Sequence, residues 1–584
     1  MLRLARYLKY YKLEVIFGPV FKLLEAIFEL IVPLVMASII DDGIRNGDKS
    51  FVLQKGGIIL LLGVAGLIFA LICQYSAARA SQGFGTRVRN ELFVHINTLS
   101  HTELDQLGTN MLITVITNDV NQLQLAVAML IRLVVRAPFL VVGASVMAML
   151  LDLKLSLIFF AVAPVIAFLL YIIMQKSVPF YRSRQKVLDK ISLITRENLT
   201  GARVIRAFSR EEKEEGRFEE ANEEAVRIAV RVGKLSALLN PAIFALMNLA
   251  VVAIIWFGGI RVEHGGLSQG EIIALINYMT QISLALVVVA NLVIIFTKAA
   301  ASAGRINRVF DMTSSMVGGK TAELPEDAGE KLPFLSVREV SFAYPGAKEY
   351  ALEKLSFEIE EGETVGIIGS TGSGKSTLIQ LLLRLYDTSE GEILLKGLPL
   401  REYSFAFLRR IFGIAPQKAV LFSGSIRDNL RMAKEDASEE ELIKAVRLSQ
   451  AEEFVFGYAE GLDYRLEQEG KNLSGGQRQR LTIARALAGA PEILILDDSL
   501  SALDYATDAG LRRALREECR DMTIIMVSQR AGTILHADKI IVMEDGRIAG
   551  IGSHRELLRQ CEVYREICLS QFSEEEVSQN DEAF

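Results

Sequence analysis

The run Gly369-Ser370-Thr371-Gly372-Ser373-Gly374-Lys375-Ser376-Thr377 has the spacing G-x-x-x-x-G-K-[ST]. It lies between an apolar strand-like stretch, Thr364 to Ile368, and a helical pattern, Leu378 to Leu385. Glycines at these positions let the backbone wrap closely enough for its N–H groups to face phosphate oxygens, and the helix that follows offers its positive end to the same charge. In such a loop Lys375 bridges the β- and γ-phosphates of ATP and the Ser376 hydroxyl binds Mg²⁺. A chance glycine-rich turn lacks the strand before and the helix after. A second element, Ile493-Leu-Ile-Leu496-Asp497, is a buried-strand pattern ending in a carboxylate. Alone it is weak; behind a phosphate loop it reads as the metal-holding aspartate.

Leu473-Ser474-Gly475-Gly476-Gln477, followed by the basic stretch Arg478 to Leu487, lies between these two elements. It resembles the signature motif of ATP-binding-cassette (ABC) transporters, and further residues fit the same family in order. Tyr344 is similar to the aromatic residue that stacks on adenine. Gln417 matches the glutamine that touches Mg²⁺ and faces the membrane domain, and Ser501-Ala-Leu-Asp504 the loop at the dimer interface. The resemblance covers nearly the whole chain. It implies a dimer with two ATP molecules, each held between one chain's phosphate loop and the other chain's signature.

Two positions depart from that family's pattern. Asp498 stands where the family has the glutamate that orients the attacking water. Its carboxylate is set back by one methylene, about 1.5 Å, and misplacements of ~1 Å can cost about 10²-fold in rate. Gln529 stands where the family has a histidine on the γ-phosphate. Either change alone could be drift; together they describe a site that binds ATP and hydrolyses it poorly. With an intact signature, the chain resembles the degenerate-site subunit of heterodimeric multidrug exporters, and its expected partner is a second, different half-transporter. A homodimer would hold two impaired sites. Arg465 to Gly470 matches the family only loosely, which leaves open the usual contact of that segment with the opposite chain.

The elements that must position this chemistry divide the 584 residues in two. Gly56 to Ala78, Leu155 to Gln175, Leu235 to Ile260 and Ile272 to Thr297 contain no charged residue, and each matches the ~20 residues that cross a 30 Å hydrocarbon core. Ala137 to Leu151 is shorter, with Arg132 and Arg136 placed to snorkel from its cytoplasmic end. A sixth span, about Val15 to Ile40, carries Lys22, Glu25 and Glu29 on one helical face. Charges inside a membrane usually face a protein interior or a water-filled path. Glu25 and Glu29 are therefore candidates to meet a cationic substrate, with Asn277 and Gln281 further along the path. The bland reading is a Lys22–Glu25 pair and interhelical packing.

Basic stretches at the N-terminus, Arg79 to Arg89 and Lys176 to Lys234 place both termini in the cytoplasm, with turns expected at Thr102 to Thr109 and Leu199 to Phe208. No cleavable leader is read in Met1 to Lys12. The expected fold is therefore an α-helical six-span membrane domain (1–313), a linker (314–333), an α/β phosphate-loop cassette (334–572) and an acidic disordered tail (573–584). The hydrophobic fraction is 51% and the net charge −6, which shows no nucleic-acid footprint. The four cysteines have neither metal nor disulfide spacing. The expected function is ATP-driven export of amphipathic drugs or lipids across the bilayer. The alternatives are a homodimeric exporter, a regulatory ABC subunit that transports nothing, and a soluble ATPase on a membrane anchor; an anchor needs only one span.

Overall fold

A computed structural model describes residues 3–325 and 332–573. The chain forms two compact units. One comprises Met1–Asn97 with Thr109–Met312, the other Thr98–Gly108 with Thr313–Phe584. The end of the expected acidic tail, 574–584, and part of the expected linker, 326–331, lie outside the described residues.

The first unit is helical throughout. Among the described residues six helical stretches are long and apolar enough to cross a membrane: Leu4–Ile44, Lys49–Asn97, Thr109–Leu151, Leu153–Ile173, Pro241–Glu263 and Gln269–Asp311. The helix Lys49–Asn97 has 49 residues and Leu153–Thr200 has 48. At 1.5 Å per residue each is about 70 Å long, more than twice a bilayer's hydrocarbon thickness, so they continue well beyond it. The third span is longer than its uncharged run because the helix keeps Arg132 and Arg136 within it.

Short polar contacts fix how these helices meet. Asp152 caps Leu153–Thr200 by accepting from the backbone of Lys154 and Leu155, both at 2.9 Å, and it also accepts from Arg261 Nε at 3.0 Å. Asp41 accepts from Ser268 Oγ and Gly270 N at the start of Gln269–Asp311. Buried Asp119 accepts from Ser302 and Arg305. Buried Tyr278 donates to Leu30 O at 2.7 Å, which satisfies a hydroxyl that no water reaches.

In the second unit the strands are Leu335–Phe342 (β1), Leu352–Ile359 (β2), Thr364–Gly369 (β3), Glu390–Leu395 (β4), Leu398–Pro399 (β5), Phe412–Ala415 (β6), Gly424–Ser425 (β7), Arg465–Leu466 (β8), Ile493–Asp497 (β9), Thr523–Ser528 (β10), Lys539–Glu544 (β11) and Arg547–Gly552 (β12). The main sheet has the order β12-β11-β3-β10-β9-β6 and is parallel except for its edge strand β12. A second sheet, β2-β1-β4-β5, is antiparallel. Alternate residues of the central strands enter different cores. Val365, Ile367, Ile493, Ile495, Ile525 and Val527 join one; Ile368, Leu494, Leu496, Ile524 and Met526 join the other. This is why the sequence shows unbroken apolar runs there: both faces of the strand are buried. The parallel order also brings the carboxyl ends of β3, β6, β9 and β10 to one edge, where a ligand crevice is expected in such sheets.

The segment Thr98–Gly108, which follows the second span in sequence, belongs to the second unit. It contains the helix His101–Leu107, closed by a capping box between Ser100 and Glu103. Its counterpart near Leu199 to Phe208 is the helix Ala202–Ala207. The described part of the Gly- and Ser-rich linker is bound along its length. Gly319 N donates to Tyr403 O and Thr321 N to Glu402 O, at 3.0 and 3.1 Å.

Candidate nucleotide site

β3 ends at Gly369, where a side chain would sit 2.2 Å from Met543 O on the neighbouring β11. Gly374 has φ +95° and immediately precedes the helix Lys375–Leu382; that left-handed turn brings the chain around the loop. Lys375 is buried. Its ammonium donates to Gly369 O at 2.8 Å, Ser370 O at 2.7 Å and Ser373 Oγ at 3.2 Å. Burial lowers its pKa, and Asp498 and Asp497 pull it back up. The ammonium is thus held over the loop, with two carboxylates within electrostatic range. Ser370, Thr371, Gly372 and Ser376 are exposed. Thr377 faces inward, and its hydroxyl lies 3.1 Å from that of Tyr344.

Asp497 closes β9, and Asp498 follows with φ +44°, a left-handed conformation that aspartate tolerates better than most residues. Burial raises both carboxyl pKa values. Repulsion from Asp498 adds to the rise at Asp497. Donation from Gln417, together with Arg530 and Lys375, opposes the rise at Asp498. Gln417 Nε2 donates to Asp498 Oδ2 at 3.3 Å, so the residues after β6 and β9 meet. Ser501 Oγ donates to Asp498 O at 2.7 Å, and Asp504 caps the helix Tyr505–Glu518 through Thr507. Gln529, after β10, is exposed. The side chain of Gln571 brackets its turn, donating to Gln529 O and accepting from Ala531 N, both at 2.8 Å.

The donors fit Mg²⁺. Ser376, Gln417 and Asp497 offer a hydroxyl, an amide oxygen and a carboxylate, the hard oxygen set that Mg²⁺ takes alongside substrate phosphates. Two partly buried carboxylates that repel each other would be relieved by a cation. Among the described residues no group of three or more His, Cys, Asp or Glu forms a metal cage.

The signature is built differently. Leu473 is buried, and Ser474 caps the helix Gly475–Ala488, accepting from Gln477 N while its own N–H donates to Gln477 Oε1. Ser474 and Gly475 are exposed, with open space where a Gly475 side chain would lie; Gly476 sits beside Ala502 O of the interface loop. A 14-residue helix therefore presents a bare N-terminus, the end that favours phosphate. Gln479 Nε2 donates to Pro416 O at 3.2 Å, tying this helix to the Gln417 loop.

Known families account for both units. The ABC transporter transmembrane region matches residues 15–297, and the ABC transporter family proper matches residues 352–501. The chain belongs to the ABC transporters. It is 36% identical to an uncharacterized ABC transporter ATP-binding protein of Mycobacterium tuberculosis, over 97% of both chains. It is also 36% identical to YfiB of Bacillus subtilis, over 98% of this chain and 99% of that one. An ATP-dependent lipid A-core flippase of Chromobacterium violaceum is 32% identical over 94% and 93%. The fold matches that of a bacterial Atm1-family ABC exporter with ATP bound, with a TM-score of 0.78 at 24% identity over 98% and 99%. The chain is therefore a multi-pass membrane protein with a cytoplasmic ATP-binding domain, and its ATP hydrolysis is coupled to transport.

Two contacts in this ABC transporter's polar architecture were not legible in its sequence, the Tyr344–Tyr386–Asp105 chain and the Arg136–Glu29 pair. The Tyr344 ring packs edge-on against Phe342 and Tyr386, and its hydroxyl donates to Gln380 Oε1 at 2.8 Å. The hydroxyl of Tyr386 in turn donates to the carboxylate of Asp105, and its ring meets His101. The tyrosine expected at adenine is thus one ring away from the helix His101–Leu107. In the membrane unit, Lys22 pairs with Glu25 at 2.7 Å and Arg136 with Glu29 at 2.7 Å. Arg136 thus has a partner on another span, Glu29. Both glutamates expected on a substrate path thus have a cationic side chain of this chain as partner. Gln281 lies beside Glu29, donating to its backbone oxygen at 3.2 Å. Asn277 is exposed and donates to Ile273 O of its own helix.

Proposed function

We propose that this chain is one half of a heterodimeric exporter of amphipathic molecules. Its own site binds Mg²⁺-ATP and hydrolyses it poorly, while its signature completes a competent site on a different partner. The observation that carries this reading is the pair Asp498 and Gln529. The carboxylate that should polarise water is one methylene short and already engaged by Gln417. The side chain that should meet the γ-phosphate has no charge to offer. Tyr344, Lys375, Ser376, Gln417 and Asp497 remain for binding ATP, with Gly369, Ser370, Thr371, Gly372, Ser373, Gly374 and Thr377 forming the cradle. Bound Mg²⁺, held by Ser376, Gln417 and Asp497, supplies neutralisation of phosphate charge. The exposed Ser474 hydroxyl and Gly475 amide suit a phosphate arriving from another chain.

Amphipathic lipids are favoured over other cargoes because the lipid A-core flippase is similar over nearly the whole chain. A homodimer would use the same residues with two weak sites.

Nucleotide occlusion tests this reading. In the purified transporter, radiolabelled ATP held at this chain's Lys375 should be recovered uncleaved over many turnovers of the complex. Recovery as ADP at the rate of overall turnover would contradict it.

A further inference from the structure

Five charged side chains gather on the first and third spans. Lys22, Glu25, Arg132 and Arg136 all lie within electrostatic range of the buried Cys73 thiol on the second span, and Glu29 pairs with Arg136. Two of the three cations are matched. Arg132, half-buried, makes no ion pair with any described residue. The cluster therefore carries a net positive charge.

It is also incomplete as a hydrogen-bonding network. Arg136 Nε and Gln281 Oε1 are buried and unbonded, in an environment where an unmet polar atom is costly. Both residues line a cavity of about 130 Å³, together with Glu29 and the apolar Leu140, Leu284 and Val288. A purely structural ion-pair network would close its charges and bonds; this one leaves one donor and one acceptor over on the wall of an open, largely apolar space, and an unpaired cation, Arg132, beside the cavity-lining Leu133 in the chain.

Depth narrows the ligand. At 1.5 Å per residue, Glu29 lies about 18 Å and Lys22 about 28 Å below Asp41, while Arg136 and Arg132 lie about 24 and 30 Å below Asp152. In a core of about 30 Å, Lys22 and Arg132 sit at the cytoplasmic boundary and the cavity above them in the apolar interior.

We propose that this cluster binds an amphiphile with an anionic head, phosphate or carboxylate, entering from the cytoplasmic leaflet. Arg132 and Arg136 are the head-group ligands, and the cavity wall takes the start of the tail. The head group cancels the surplus charge and satisfies Arg136 Nε. Arginine's planar fork suits both head groups. The proposal rests on the transport reading above, whose substrate class it narrows.

The test is equilibrium binding without nucleotide, using the transporter with its partner in phosphatidylcholine nanodiscs. Four fluorescent probes are compared: phosphatidic acid, a fatty acid, a choline-headed lipid and an alkylammonium. Phosphatidic acid should bind at least tenfold more tightly than the choline-headed lipid and the alkylammonium. If phosphatidic acid alone binds tightly, the ligand is a lipid phosphate; if the fatty acid binds equally, a carboxylate suffices. Arg132→Gln should weaken anionic probes about tenfold and leave the choline-headed probe unchanged, with ATP-analogue binding intact as the folding control. Glu29→Gln should tighten anionic binding, which keeps the test open if Arg132→Gln fails to fold. Unchanged anionic binding in Arg132→Gln, equal loss for all probes, or preference for alkylammonium would overturn the proposal. Since no ATP is present, anionic binding without ATP-driven flux would refute the transport reading alone.

Discussion

One methylene and one charge separate Asp498 and Gln529 from the residues expected of a fully hydrolytic ABC site. Both follow the carboxyl ends of central strands, so their backbones are fixed by the sheet and only the side chains decide what they can reach. The account therefore predicts that lengthening one and charging the other restores chemistry. Asp498→Glu with Gln529→His should raise single-turnover hydrolysis at this chain's own site by tenfold or more, in line with the rate sensitivity to ~1 Å placement. No change in that rate would mean that something else limits the site. These residues were legible in the sequence because each motif is short and contiguous: nine neighbouring residues make the phosphate loop, and the chain itself carries the geometry. The Gln417 to Asp498 bond was not, because it joins residues 81 positions apart and depends on β6 lying next to β9.

Helices and strands place these side chains, and two elements carry predictions of their own. The helix His101–Leu107 holds Asp105 against Tyr386, which packs on Tyr344. Loss of adenine stacking at Tyr344 should then be felt at Asp105. Tyr386→Phe and Asp105→Asn should each lower transport-coupled ATPase severalfold. Combined they should do no more harm than either alone, because both remove the same bond; fully additive losses would show that the contact is incidental. Asp152, buried at the turn between the third and fourth spans, both caps Leu153–Thr200 and holds Arg261. Asp152→Ala should destabilise by roughly 1–3 kcal/mol, read as a lower thermal midpoint in detergent; an unchanged midpoint would contradict the role. The six spans were legible because a bilayer demands long apolar helices. The pairing of Arg136 with Glu29 was not, since it depends on how two helices rotate against each other. The bound linker was equally hidden, because glycine- and serine-rich composition describes a chain bonded to the Glu402–Tyr403 backbone as well as a free one.

At the scale of the whole molecule, the poor hydrolysis proposed for this chain's phosphate-loop site, together with its exposed signature, requires that hydrolysis be completed between chains. The signature helix offers its N-terminus outward, and beyond capping that helix Ser474 acts in hydrolysis only if another chain's ATP meets it. The central claim is that this chain needs a different partner to turn over. Steady-state ATPase of the purified chain alone and in complex with that partner tests it most directly. The account predicts little activity alone and strong activity in the complex. That activity should be abolished by removing the partner's catalytic glutamate, fall about 10²–10³-fold on Ser474→Ala, and change little on Asp498→Asn. Vigorous hydrolysis by this chain alone, lost on Asp498→Asn, would contradict it.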